Sequence, residues 1–92
     1  MSNIIAIDIG NTETTVGIGA NGAWDSYRFT TRDTNTSDEL LSLFNSTFQM
    51  TEEMKKNLRG SIICSVVPQI TANVSQAIKK YANVDSLIVG PG

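Results

Sequence analysis

The spacing of apolar positions changes along the chain, and each change marks an element. Ile4-Ile5-Ala6-Ile7 is a short continuous apolar run closed by Asp8 and Gly10, the pattern of a strand covered on both faces at the centre of a sheet. Asp8 then falls at the carboxyl end of that strand. Thr14 to Ala20 and Ala23 to Thr31 are two β-rich runs separated by Asn21-Gly22. Both of those turn positions tolerate positive φ, so the pair predicts a two-residue hairpin. The first three strands form a meander.

Beyond Thr31 the period becomes helical. Thr36-Ser37-Asp38-Glu39 fits a capping box, in which the Thr36 hydroxyl accepts from a forward amide and the Glu39 carboxylate accepts from the Thr36 amide. Leu40, Leu43, Phe44, Thr47 and Phe48 follow on one face, an amphipathic helix of about three turns. Ser61 to Val67 is a second apolar β run. Pro68 suits the first turn of a helix whose Ile70, Val74, Ala77, Ile78 and Tyr81 share a face, and Ser86 to Val89 is a last strand. Arg32 to Asn35 and Thr51 to Arg59 are polar connections. The order β-β-β-α-β-α-β describes an α/β domain over residues 1–92: a mixed sheet with a meander and two right-handed parallel crossovers.

Composition narrows what such a domain does. With 40% apolar and 17% charged residues, the chain is globular rather than disordered. At 92 residues it buries only about 60% of its unfolded surface, enough for one small domain. Seven Lys and Arg against nine Asp and Glu give a formal charge of -2. No basic stretch exceeds Lys55-Lys56 or Lys79-Lys80, so nucleic acid is not an expected partner. No signal peptide and no apolar run of about 20 residues is present, so the expected protein is soluble and cytoplasmic, without a membrane. Gly90-Pro91-Gly92 reads as a cut in a longer protein.

There is no histidine and one cysteine, Cys64, which removes internal disulfides, the usual zinc sites and Ser-His or Cys-His nucleophiles from this segment. Cys64 suits a small core residue better than a reactive thiol. Chemistry is left to carboxylates, hydroxyls, amides and added metal ions. The densest segment is Asp8-Ile9-Gly10-Asn11-Thr12-Glu13-Thr14-Thr15, a carboxylate at a strand end followed by a turn rich in hydroxyls and amides. Such a turn holds polyphosphate: Gly10 permits close approach, the amides around Asn11 and Thr12 donate to its oxygens, and the Thr hydroxyls add donors. Asp8 would hold magnesium, through water, rather than touch phosphate. The same residues also suit a plain Asx-type turn with Thr present for β propensity. No Lys follows at Walker A spacing.

Ser65-Val66-Val67-Pro68, where a strand meets a helix, is a second anion candidate, although most such junctions bind nothing. Arg28 and Arg32 could reach a phosphate, yet exposed arginines at strand ends are usually solvated. Trp24, Tyr27 and Phe29 are expected in sheet packing rather than base stacking.

Taken in order, these segments resemble the type III pantothenate kinases over the entire chain. Asp8-Ile9-Gly10-Asn11-Thr12 looks like that family's N-terminal phosphate motif, Tyr27-Arg28-Phe29-Thr30-Thr31 its third-strand segment, and Thr36-Ser37-Asp38-Glu39 its first helix start. Ser65-Val66-Val67-Pro68 and Val89-Gly90-Pro91-Gly92 resemble two further family segments. The resemblance implies a ribonuclease H-like, actin-type half-domain, with ATP clamped between it and a second domain absent here. It implies ATP-dependent phosphorylation of pantothenate to 4'-phosphopantothenate, the first step of coenzyme A synthesis, by a homodimer using magnesium and potassium or ammonium. Asp8 to Thr15 become the ATP phosphate loop, with Asp8 as the magnesium ligand. The family's Gly-x-Asp-Arg segment, with its proton-accepting aspartate, would lie beyond Gly92, so these residues alone are expected to be inactive. Glu13 stands where many relatives carry Asn and adds negative charge beside the phosphates. Other classes that share such a turn are a regulatory or non-catalytic nucleotide-binding relative and an actin-like scaffold.

Overall fold

Alternation in the first strand decides which side of the sheet becomes the core. In β1 (Asn3–Ile9) the side chains of Asn3, Ile5, Ile7 and Ile9 are buried, Ile4 and Ala6 are half-buried and Asp8 is exposed. The computed structural model describes residues 3–20 and 22–90. β2 (Glu13–Ala20) and β3 (Ala23–Thr30) continue antiparallel from β1, and β4 (Leu58–Ser65) and β5 (Ser86–Val89) add in parallel on its other side. The resulting order is β3-β2-β1-β4-β5, with β1 central.

Among the described residues three helices complete the fold: α1 (Ser37–Thr47), α2 (Glu52–Lys56) and α3 (Pro68–Ala82). Leu40 and Phe44 of α1 and Ile70, Val74, Ala77, Ile78 and Tyr81 of α3 join Ile5, Ile7, Ile9, Val16, Ile18 and Ile63 in one buried cluster. Because residues two apart along a strand share a face, α1 and α3 both cover the Ile5-Ile7-Ile9 side. Each fully buried large side chain there contributes about 1.5–3 kcal/mol. Phe44 stacks on Phe48 at a centroid distance of 4.9 Å and meets Tyr81 edge-on at 6.4 Å.

The expected mixed α/β class and both amphipathic faces are present. The capping box closes, with Thr36 Oγ1 accepting from the Glu39 amide at 3.1 Å and Glu39 Oε1 accepting from the Thr36 amide at 2.8 Å. Pro68 opens α3, and Asn83, in the left-handed region at φ 56°, ends it. Strands β2 and β3 pair through to Ala20 and Ala23, with Gly22 at φ 84° between them. Asn21, the other half of the predicted turn, lies outside the described residues, as do Pro91 and Gly92.

Three expectations need correction. β1 is central but covered on one face only, because both long helices lie on the same side. Cys64 is exposed on the other, helix-free side rather than in the core. The connection 51–59 is not plain loop: Thr51 Oγ1 accepts from the Met54 amide to start α2, and β4 begins already at Leu58. Tyr27 and Phe29 pack against the core as expected, and Trp24 packs on the sheet too, over Gly17 and Gly19 of β2 on the helix-free face, while staying 63% exposed.

Candidate functional site

Parallel pairing of β1 with β4 brings their carboxyl ends together, at the place where the strand order diverges. β1 leads outward to β2 on one side, and β4 stands on the other. In open α/β sheets this divergence leaves a crevice where ligands bind. Three segments converge there: the turn 10–12, the β3–α1 connection 31–36, and the β4–α3 junction.

The turn is held by backbone bonds from three directions. The Gly10 amide donates to the Glu13 carbonyl at 3.0 Å, the Thr31 amide donates to the Thr12 carbonyl at 2.9 Å, and the Val66 amide donates to the Ile9 carbonyl at 3.1 Å. Space at Gly10 is tight: a Cβ would stand 3.0 Å from the Glu13 carbonyl oxygen. Its amide is spent inside the turn. The Asn11 and Thr12 amides have no partner among the described residues.

Nor do the side chains of Asp8 and Asn11 bond the turn, so the Asx arrangement that the sequence also permits does not form among the described residues. Asp8, Asn11, Thr12 and Glu13 are exposed. The eight segment residues divide by face. Asp8 and Thr15 are cross-strand partners on the helix-free side, with Cys64 beside Asp8 and Arg28 beside Thr15. Asp8, Thr15 and Cys64 border a shallow cavity of about 280 Å³. Ile9 and Thr14 point into the helix-covered side. Thr14 is fully buried, and its Oγ1 lies 2.8 Å from Thr31 Oγ1, a bond that braces the turn rather than faces the crevice.

A cleft of about 550 Å³ opens beside the turn, lined by Asn11, Thr31, Arg32, Asp33, Val67 and Pro68 among others. Arg32 thus stands at the cleft. The Ser65 hydroxyl is occupied: it accepts from the Val67 amide at 3.0 Å and from Thr71 Oγ1 at 2.8 Å, and donates to the Val67 carbonyl at 3.2 Å. It therefore shapes the junction and leaves no donor for an anion. Val67 caps α3 without a side-chain bond. Pro68 brings no amide hydrogen, and the Ile70 amide donates to the Val67 carbonyl at 3.3 Å. Of these first positions only the Gln69 amide is therefore left beside the cleft among the described residues. Asn35 is fixed by Asn73, whose Nδ2 donates to its carbonyl at 3.0 Å. This positioning of the 31–36 connection carried no local signal, since it depends on α3 folding back across the sheet.

Of the two segment carboxylates on this face, Glu13 is paired with Arg28 at 3.8 Å and Asp8 has no such partner among the described residues, which contain no cluster of three or more His, Cys, Asp or Glu side chains. A single free carboxylate suits an ion that keeps most of its shell as water and phosphate, as magnesium does.

Comparison with known proteins adds to this geometry. The model of the family described as type III pantothenate kinase matches residues 4–92. The type III pantothenate kinase of Bifidobacterium animalis subsp. lactis is 34% identical over 90 residues, covering 97% of this chain and 36% of the relative. That of Agathobacter rectalis is 34% identical, covering 97% and 35%. The chain thus spans about a third of the length of the curated relatives it matches. Among solved structures, T. thermophilus RuvC in complex with a Holliday junction substrate superposes with TM-score 0.49 at 14% identity, covering 99% of this chain and 66% of that one. The Aquifex aeolicus PPX-GPPA enzyme gives 0.45 at 12%, covering 98% and 36%. Both are loose likenesses of backbone. The match over residues 4–92, together with these relatives, places the chain in the type III pantothenate kinase family.

Proposed function

We propose that this chain is the phosphate-binding portion of an ATP-dependent kinase that phosphorylates pantothenate. One observation carries the reading: a turn pinned by three backbone bonds presents the unpartnered Asn11 and Thr12 amides beside a free Asp8 carboxylate. Preorganised amides stabilise charge on a transferring phosphoryl group without having to reorganise during the reaction. Asn11 and Thr12 would bind and orient the phosphates, and the Thr15 hydroxyl adds a donor on the Asp8 side. Ile9 and Thr14 would contribute through backbone and bracing alone. Magnesium, when bound, neutralises phosphate charge, and Asp8 is the residue that would hold it.

The family's proton-accepting aspartate is proposed to lie outside these 92 residues, as are the groups that hold potassium or ammonium and form a homodimer. Half of a clefted site binds but does not turn over. Titration calorimetry with ATP should therefore give magnesium-dependent binding that Asp8→Asn weakens about tenfold or more. Pantothenate-dependent ATP consumption should be absent. Failure of the wild-type chain to bind Mg-ATP at millimolar concentration overturns the phosphate reading, and measurable turnover overturns the half-site.

A further inference from the structure

Arg28 and Glu13 form an ion pair of 3.8 Å, with 71% and 57% of their side chains exposed. The sheet register gives that pair a direction. Arg28 is the cross-strand partner of Thr15, while Glu13 is the partner of Thr30. The guanidinium therefore reaches one row beyond its own position, toward the carboxyl end of β1 and the turn. Water screens a pair this exposed and this long, so a better anion can displace Glu13.

The distribution of cations narrows the choice. The chain has seven Lys and Arg. Lys55 and Lys56 end α2, Arg59 is the second residue of β4, and Lys79 and Lys80 lie in the last turn of α3. Those five stand at the amino end of the parallel strands, away from the crevice. Arg28 and Arg32 alone serve the carboxyl end, where Asp8, Glu13 and Asp33 already add negative charge. Arg32 lines the cleft on one side of the turn. Arg28 is the cation on the Asp8 and Thr15 side.

We propose that Arg28 is a phosphate-contacting residue held in reserve by Glu13: its guanidinium leaves the Glu13 carboxylate for phosphate oxygens when a polyphosphate binds the turn. The inference rests on the phosphate reading above and adds a named cation with its competitor. Glu13 then sets affinity in two ways, by repelling the ligand and by holding the arginine that attracts it. A planar guanidinium pairs with phosphate through two parallel bonds, which an ammonium cannot reproduce.

The test is titration of the 92-residue chain with Mg-ATP and with magnesium tripolyphosphate. Arg28→Gln should weaken both about tenfold, Arg28→Lys should recover part of that loss, and Glu13→Gln should tighten both about threefold. Melting temperatures of the free variants should stay within about 2 °C of wild type, since an exposed pair adds little stability. In the double variant, the gain from Glu13→Gln should shrink, because no arginine remains to be released. If Arg28→Gln binds like wild type, or if the Glu13→Gln gain is undiminished without Arg28, the exchange is refuted while the turn remains a phosphate site. If the wild-type chain binds neither probe, the turn reading fails and the Arg28 proposal fails with it.

Discussion

Trp24 lies flat against Gly19: a Cβ built at position 19 would stand 3.0 Å from the indole Cζ2 and 3.1 Å from Cε2. Gly17 meets the same ring, with Cζ3 at 3.2 Å. The two glycines leave a flat floor on β2 that an edge-strand indole covers, although the ring itself is 63% exposed. Gly19→Val should lift the ring off the floor. The expected result is a red-shifted tryptophan emission with a stability loss of about 1 kcal/mol or less, because an exposed side chain can move aside. Emission unchanged from wild type would mean that the indole does not rest there in solution.

Phe44 is the ring that joins the two long helices to the sheet. It is fully buried, 4.9 Å from Phe48 and 6.2 Å from Phe29. Phe44→Ala should cost about 3–5 kcal/mol, the usual range for a buried Phe. A domain of this size has about 5–14 kcal/mol in total, so the variant should lose a large share of its stability and unfold at a much lower urea concentration. Leu87→Ala, at a position 64% exposed, should shift the urea midpoint by little. Equal effects from the two changes would contradict the core described above.

α1 and α3 are tied at the surface by Lys80, whose Nζ lies 2.9 Å from Asp38 Oδ1 and 3.3 Å from Ser37 Oγ. The hydrogen bond from Lys80, followed by its positive charge, holds the Asp38 carboxyl below its ordinary value. A depressed carboxylate stabilises the fold above its unfolded pKa, and that contribution is lost as pH falls through the folded value. Asp38→Asn should therefore lower the melting temperature at pH 7, and the difference from wild type should shrink and vanish as pH falls past the ordinary aspartate range and the folded carboxyl is protonated. Calorimetric scans across that range measure this. A difference that persists in acid would assign the effect to something other than the charge.

Ser61 and Ser86 are cross-strand partners between β4 and β5, and both hydroxyls are buried without a hydrogen-bond partner among the described residues. An unpaired buried hydroxyl costs its desolvation and returns nothing. Ser61→Ala should leave stability unchanged or raise it by about 1 kcal/mol. A clear loss in chemical denaturation would show that the hydroxyl has a partner in solution.

The parts of this molecule that were legible in the sequence are those with a long period. Ile70, Val74, Ala77, Ile78 and Tyr81 repeat at helical spacing over about three turns, and all are buried. α2 was not legible, because Glu-Glu-Met-Lys-Lys buries nothing and has no apolar stripe. The run Ile4 to Ile7 predicts cover on both faces, and only one face has it, since an unbroken apolar run does not reveal which layers lie above and below it. The same ambiguity misplaced Cys64. At the site, the turn was visible as a cluster of Gly, Asn and Thr. The approach of Arg32 and Pro68 to Asn11 was not, because only the order of strands brings those segments together.

The parallel register of β1 and β4 sets Ile4 beside Gly60 and Ile9 beside Ser65, whereas the β1–β2–β3 meander pairs residues through short turns. Loop-closure entropy makes the distant pairing the slower event. The pinned turn belongs to both: its Gly10 and Thr12 bonds lie within the meander and its neighbour, but the bond from Val66 to Ile9 must wait for β4. A newly made chain would therefore have its hairpins before it has a finished ligand site, and competence to bind would report completion of folding rather than its onset.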